Sequence, residues 1–179
     1  MKKQEYDKKI ILYALIPGLG QFKNGQKEKG AIFLTIFGLF CLESAFFGIN
    51  ALQELITLGS EPGIDNSMFL MVRGTLQLLI TLIFVGFYVS QIRDAIKVNK
   101  NKTIGLPIAT GFTGIKGSLA THGFPYLLTF PAYILMIFTI VLPVLVTLFM
   151  AFTNYDVNHI PPAALIDWIG IQNFKDMFF

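Results

Sequence analysis

A chain of 179 residues that is 54% hydrophobic, holds 18 Phe and is only 14% charged falls outside the range of soluble domains and inside that of membrane proteins. Its net charge of +3 is modest, so the placement of the charges matters more than their sum, and no nucleic-acid partner is expected. The lone cysteine, Cys41, sits in an apolar run, which excludes a disulfide framework or a paired-cysteine metal site. His122 and His159 fall on opposite sides of the longest apolar run, so no metal site is expected of them either.

Residues 1–9, MKKQEYDKK, are polar and basic. Ile10 to Gly20 is apolar but too short to cross a bilayer, and Pro17, Gly18 and Gly20 are expected to break a helix there. No small-residue cleavage pattern follows, and lysines flank both sides, so the stretch reads as an interfacial or shallow re-entrant segment. Ala31 to Asn50 is the first full span, interrupted only by Glu43. Residues 51–67 read as a polar connection carrying Glu54, Glu61 and Asp65, with a turn at Pro62-Gly63. Met68 to Gln91 is the second span, with Arg73 near its start, and 92–123 reads as a long polar connection.

The third span is the plainest. Tyr126 to Phe152 runs 27 residues without a charge, where about 20 helical residues suffice to cross the hydrocarbon core. Pro125 suits the first helical turn, and neighbouring helices can satisfy the carbonyls freed by Pro131 and Pro143. Residues 153–179 are amphipathic and too short to cross again. Pro161-Pro162 rules out a continuous helix, Ala163 to Ile169 is expected to restart as a short one, and Trp168 should lie at the membrane boundary or on neighbouring helices. The fold expected is therefore an all-α membrane protein: three transmembrane helices plus a short N-terminal interfacial or re-entrant apolar segment.

Residues 1–29 hold seven lysines and 92–123 hold five Lys or Arg, whereas 51–67 hold none and 153–179 only Lys175. The positive-inside rule then places the N-terminus and the 92–123 stretch in the cytoplasm and the 153–179 stretch outside, in a multi-pass arrangement.

Catalytic patterns are lacking, and no enzyme is expected. GFTGIKGS at 111–118 has its Lys116 before Gly117 rather than after it, as a phosphate loop would need. Its GIKG core also matches a KH clamp without the surrounding α/β pattern, so a cytosolic loop is the reading. Two ionisable residues within the spans are more informative. Glu43 counts to about 10 Å below Asn50, and Arg73 to about 8 Å below Met68, at the helical rise. Charges at such depth are costly and tend to pair, so Glu43 and Arg73 are a candidate intramembrane ion pair.

The run from Phe124 to Asp156, followed by Ile169-Gly170-Ile171-Gln172-Asn173-Phe174, resembles the start of the core permease domain of sugar ABC importers. The positions that carry the family pattern are Asn154, Tyr155, Gly170, Asn173 and Phe174. Upstream, the Pro17-Gly18-Leu19-Gly20-Gln21, Asn24-Gly25-Gln26 and Lys29-Gly30 pieces resemble the N-terminal region of maltose/maltodextrin permeases of the MalF type, in their Gram-positive form. The resemblance implies two regions: a 1–123 extension with two transmembrane helices and a basic cytoplasmic loop, and a 124–179 start of the core permease domain. It implies a subunit of an ATP-driven importer in a bacterial cytoplasmic membrane, with a second permease subunit, an ATPase dimer and an extracellular sugar-binding protein as partners. This chain would bind no cofactor, ATP being used by the ATPase subunits. No Glu-Ala-Ala coupling motif occurs and the chain stops at Phe178-Phe179, so it is expected to be the N-terminal part of such a permease. Residues lining the sugar path fall mostly on later helices of that family, and none is assigned here. The alternative from another class is a self-contained three-span membrane scaffold or regulator.

Overall fold

The computed structural model describes residues 7–108, 110, 117, 120 and 123–178. Residues 111–116 and His122 lie outside the described residues, so the loop reading of GFTGIKGS and the placement of His122 are not addressed. Among the described residues the fold is all-α, as the composition requires. The helices are α1 (Lys9–Ala14), α2 (Leu19–Asn24), α3 (Lys27–Glu43), α4 (Ile49–Thr57), α5 (Ser67–Thr103), α6 (Phe124–Met136), α7 (Leu142–Met150) and α8 (Gln172–Phe178). Short π-helical segments at Ser44–Gly48 and Ile137–Val141 join α3 to α4 and α6 to α7. Three of the resulting stretches are long and apolar enough to cross a membrane: Lys27–Thr57, Ser67–Thr103 and Leu128–Met150.

The first two spans overrun the limits that composition suggests. Residues 51–57 and 92–103, read above as connections, are helical. The reason is local: neither stretch contains Gly or Pro, and a helix needs no apolar residues once it has left hydrocarbon. α4 ends where Leu58 turns left-handed and returns its N–H to Glu54 O, and Gly59 follows with positive φ. In the third span the π segment ends two residues before Pro143, whose missing N–H cannot serve the carbonyl four residues back, at Thr139 within that segment.

The N-terminal apolar stretch forms two short helices, α1 and α2. The break falls at Pro17-Gly18, where Gly18 takes φ +96°. Gly20 does not break the chain; it lies inside α2, where a Cβ would press on the Cβ atoms of Ala95 and Ala14. Its smallness serves close approach, not a turn.

The described chain divides into two compact units. One comprises residues 1–42 and 82–129, the other 43–81 and 130–179. In the first unit Ile10 and Ala14 pack on Ala95, Ile92 and Ile96, Phe40 stacks on Phe84, and Phe87 meets Phe84 at a tilt and Phe33 edge-on. In the second, Leu58, Met71, Val146 and Ile166 form the buried core.

Candidate functional site

Side-chain hydrogen bonds gather in three places. In the first unit, the hairpin of α1 and α2 is fastened to α5 by amides. Gln21 Nε2 donates to Gln91 O at 3.0 Å and to Asp94 Oδ2 at 3.2 Å, and Gln91 Nε2 returns a 2.7 Å bond to Ala14 O. Asn24 Nδ2 donates to Ala95 O at 2.8 Å, and Asn99 Nδ2 to Asn24 Oδ1 at 3.0 Å. Lys29 closes the set with a 2.7 Å ion pair to Asp94. These donors reach helix carbonyls whose second lone pair is free, so the bonds are made without breaking the helix ladder. The Gly-rich Pro17–Gly30 stretch is thus a clasp. Sequence reasoning noted its glycines and missed its amides, although Gln21 and Asn24 between closely spaced glycines were the available signal.

In the second unit the expected Glu43–Arg73 pair does not form. Arg73 Nη1 bonds Glu54 Oε1 at 3.0 Å, while Glu43 Oε2 accepts from Gln77 Nε2 at 3.2 Å and from the Ser44 hydroxyl at 3.4 Å. The cause is the helical overrun. The first span ends at Thr57 rather than Asn50, which sets Glu43 about 20 Å from that end, while Arg73 lies only about 9 Å from the start of α5. Glu54, one turn from the end of α4, is nearer that end than Glu43 and within reach of the guanidinium. A double-mutant cycle of Glu54→Gln with Arg73→Gln should return a coupling of up to about 1 kcal/mol, limited by the half-exposed arginine. The same cycle on Glu43 and Arg73 should be additive; coupling there and none at Glu54 would contradict the geometry.

The third place is the segment leaving α7. Gly170, at φ +63°, turns the chain so that its N–H and that of Ile169 both reach Phe152 O, at 3.1 and 2.9 Å. Asn173 Nδ2 then donates to Ala151 O at 3.0 Å and Thr153 O at 2.8 Å, satisfying carbonyls that the end of α7 leaves open. Asn154 and Asp167 exchange backbone and side-chain bonds: Asn154 N–H donates to Asp167 O, and Asp167 N–H to Asn154 Oδ1 at 2.7 Å. Phe174 packs on Phe152 with centroids 5.4 Å apart. Tyr155 is exposed. Four of the five motif positions therefore build one clip that folds the exit segment back on the end of the third span.

The segment Ala163–Ile169, expected to be helical, turns at Ala163 and Ala164 and is irregular from Leu165 on, and the helix forms at Gln172–Phe178. The non-helical form wins because its N–H groups find partners along the way: Ile166 N–H on Ser67 Oγ, Asp167 N–H on Asn154 Oδ1, and a bridge between Trp168 and Thr153. The Pro161–Pro162 peptide that precedes it is cis. Trp168 packs on neighbours, as expected: its Nε1 donates to Leu55 O at 3.0 Å and its ring meets Phe149 edge-on. Two loop carboxylates shape the surface nearby. Asp65 is held below the usual carboxylate range by the N–H groups of Ser60 and Glu61, and Asp156 by the His159 side chain and the N–H of Asn158. Among the described residues, no group of three or more His, Cys, Asp or Glu side chains is placed to hold a metal ion.

Three apolar helices of crossing length, with a clipped exit segment after the third, define a multi-pass membrane protein. No protein-family profile matches the chain, and no solved structure matches it. It is similar to the maltodextrin transport system permease protein MdxF of Bacillus subtilis (strain 168), with 52% identity over 172 residues, 96% of this chain and 40% of that protein. It is 43% identical over 178 residues to the maltodextrin transport system permease protein MalC of Streptococcus pneumoniae, covering 99% of this chain and 41% of MalC. It is 36% identical over 174 residues to the galactooligosaccharides transport system permease protein GanP of Bacillus subtilis, covering 94% of this chain and 40% of GanP. The chain spans about 40% of the length of these relatives. Over that length its sequence is similar to these transport permeases, in agreement with the resemblance carried by the exit motif.

Proposed function

We propose that this chain forms one portion of the membrane-spanning region of a permease that imports maltodextrin-type oligosaccharides at the expense of ATP. The observation that carries the proposal is the 52% identity to MdxF over 172 residues. The lower identity to GanP, 36%, favours maltodextrin over galactooligosaccharide as the substrate class. In this reading the chain makes and breaks no bond and holds no cofactor. Its helices carry part of a pathway opened alternately to each side, and ATP is consumed by a separate ATPase dimer. A second permease subunit and an extracellular sugar-binding protein complete the assembly. The lysines of residues 1–29 face the cytoplasm with the basic end of α5, and the exit clip faces outward.

Two measurements test this. A chimera in which the chain replaces the matching stretch of MdxF should restore maltodextrin uptake to Bacillus subtilis lacking MdxF; a stably inserted chimera without uptake would overturn the transport reading. Reporter fusions should place Gly30 and Lys102 in the cytoplasm and Gly63 and Asp167 outside. An external signal at Lys102 would sink the orientation.

A further inference from the structure

The hairpin of α1 and α2 leaves a groove against the start of α3, within the first unit. Phe22 forms one wall, seated close to α3 because Gly30 has no side chain: a Cβ there would meet the Phe22 ring at 2.9 Å. The floor follows helical spacing, with Lys27, Ala31 and Thr35 in one row and Glu28, Ile32 and Ile36 in the next. The groove has a volume of about 580 Å³, and every residue lining it is exposed except Glu28, which is half-buried. Polarity is graded along it. Lys27 and Glu28 stand at the start of the Lys27–Thr57 span. At the helical rise that span measures about 46 Å and outruns a hydrocarbon core of about 30 Å, so charges at its end reach the headgroup layer. Ile36 lies about 13 Å farther along the helix, at acyl-chain depth. Lys29, the neighbouring cation, is taken by Asp94 at 2.7 Å, whereas Lys27 and Glu28 make no ion pair among the described residues.

We propose that this groove holds one molecule of phosphatidylethanolamine. Its charges are the complement of those at the head of the groove: the Lys27 ammonium donates to the lipid phosphate, and the Glu28 carboxylate accepts from the lipid's primary ammonium. One acyl chain then runs along Ala31, Ile32, Thr35 and Ile36 against the Phe22 ring. Glu28 is what selects the headgroup. A quaternary choline has no N–H to give it, and an acidic headgroup without an amine meets it as a like charge. The inference rests on the first unit alone and stands whatever solute is carried.

The test titrates the whole chain, purified in a neutral detergent, with one lipid at a time and measures the one-to-one adduct by native mass spectrometry. Phosphatidylethanolamine should bind about threefold or more tighter than phosphatidylcholine or phosphatidylglycerol with the same acyl chains, the scale of one exposed ion pair. Glu28→Ala should erase that preference, while Lys27→Ala should weaken all three lipids, since each carries a phosphate. Ala31→Phe fills the floor of the groove and should abolish the adduct. Lys27 and Ala31 are exposed and Glu28 is half-buried, so the fold is not at stake, and circular dichroism checks the helicity. Equal binding of the ethanolamine and choline lipids, or tighter binding of phosphatidylglycerol, would overturn the proposal. So would a preference that survives Glu28→Ala, an adduct that survives Ala31→Phe, or a dimer of the chain in place of the adduct.

Discussion

Gly18→Val should release the N-terminal clasp and destabilise its unit by about 3 kcal/mol or more. Two costs combine. Gly18 holds φ +96°, where a side chain strains the backbone by about 1–3 kcal/mol. A Cβ there would also run into the Gly30 carbonyl oxygen and the Leu34 N–H, both backbone atoms that cannot rotate aside. Overpacking of that kind adds about 1–3 kcal/mol. The expected readout is loss of hydrogen-exchange protection from Ile10 to Asn24, with the amide bonds of Gln21, Asn24 and Gln91 lost together. Gly25→Asn is the control: at φ +93° it carries backbone strain, least for Asn among side chains, but nothing lies within 4 Å of the added Cβ. If Gly18→Val and Gly25→Asn behave alike, close approach at Gly18 is not what seats the hairpin.

The contrast between Gly18 and Gly20 shows where sequence reading reaches its limit. Both are punctuation in a sequence, but only one turns the chain. What Gly20 does depends on Ala95, which is far along the sequence and brought near by the fold. The three spans were readable because hydrocarbon imposes a composition over about 20 residues, and that constraint is local. The helix ends were not, because the constraint stops at the membrane surface while the hydrogen-bond ladder continues. Placing the first helix end at Asn50 instead of Thr57 was enough to pair Arg73 with the wrong carboxylate. The motif positions Gly170 and Asn173 could be picked out by resemblance, but their work could not. It lies in carbonyls of Ala151, Phe152 and Thr153, and backbone atoms leave no mark on composition.

Ile166→Ala should detach the exit segment from the second unit, at a cost of about 2–4 kcal/mol. Ile166 is fully buried with Leu58, Met71 and Val146, so truncation removes apolar contact and leaves a cavity at the centre of that cluster. Its N–H is held by the equally buried Ser67 hydroxyl at 3.1 Å. Ser67→Ala leaves that N–H without a partner and should cost about 1–3 kcal/mol on its own. The two residues touch, so the double variant should lose less than the sum of the singles. Trp168 reports the outcome without a label, because its ring lies on Phe149 and its Nε1 on Leu55 O only while the segment is docked. Detachment should shift its emission to the red and open residues 155–165 to protease, with the helicity of the three spans unchanged. Emission that stays blue in the Ile166→Ala variant would mean that the Asn173 and Gly170 bonds to the end of α7 hold the segment by themselves.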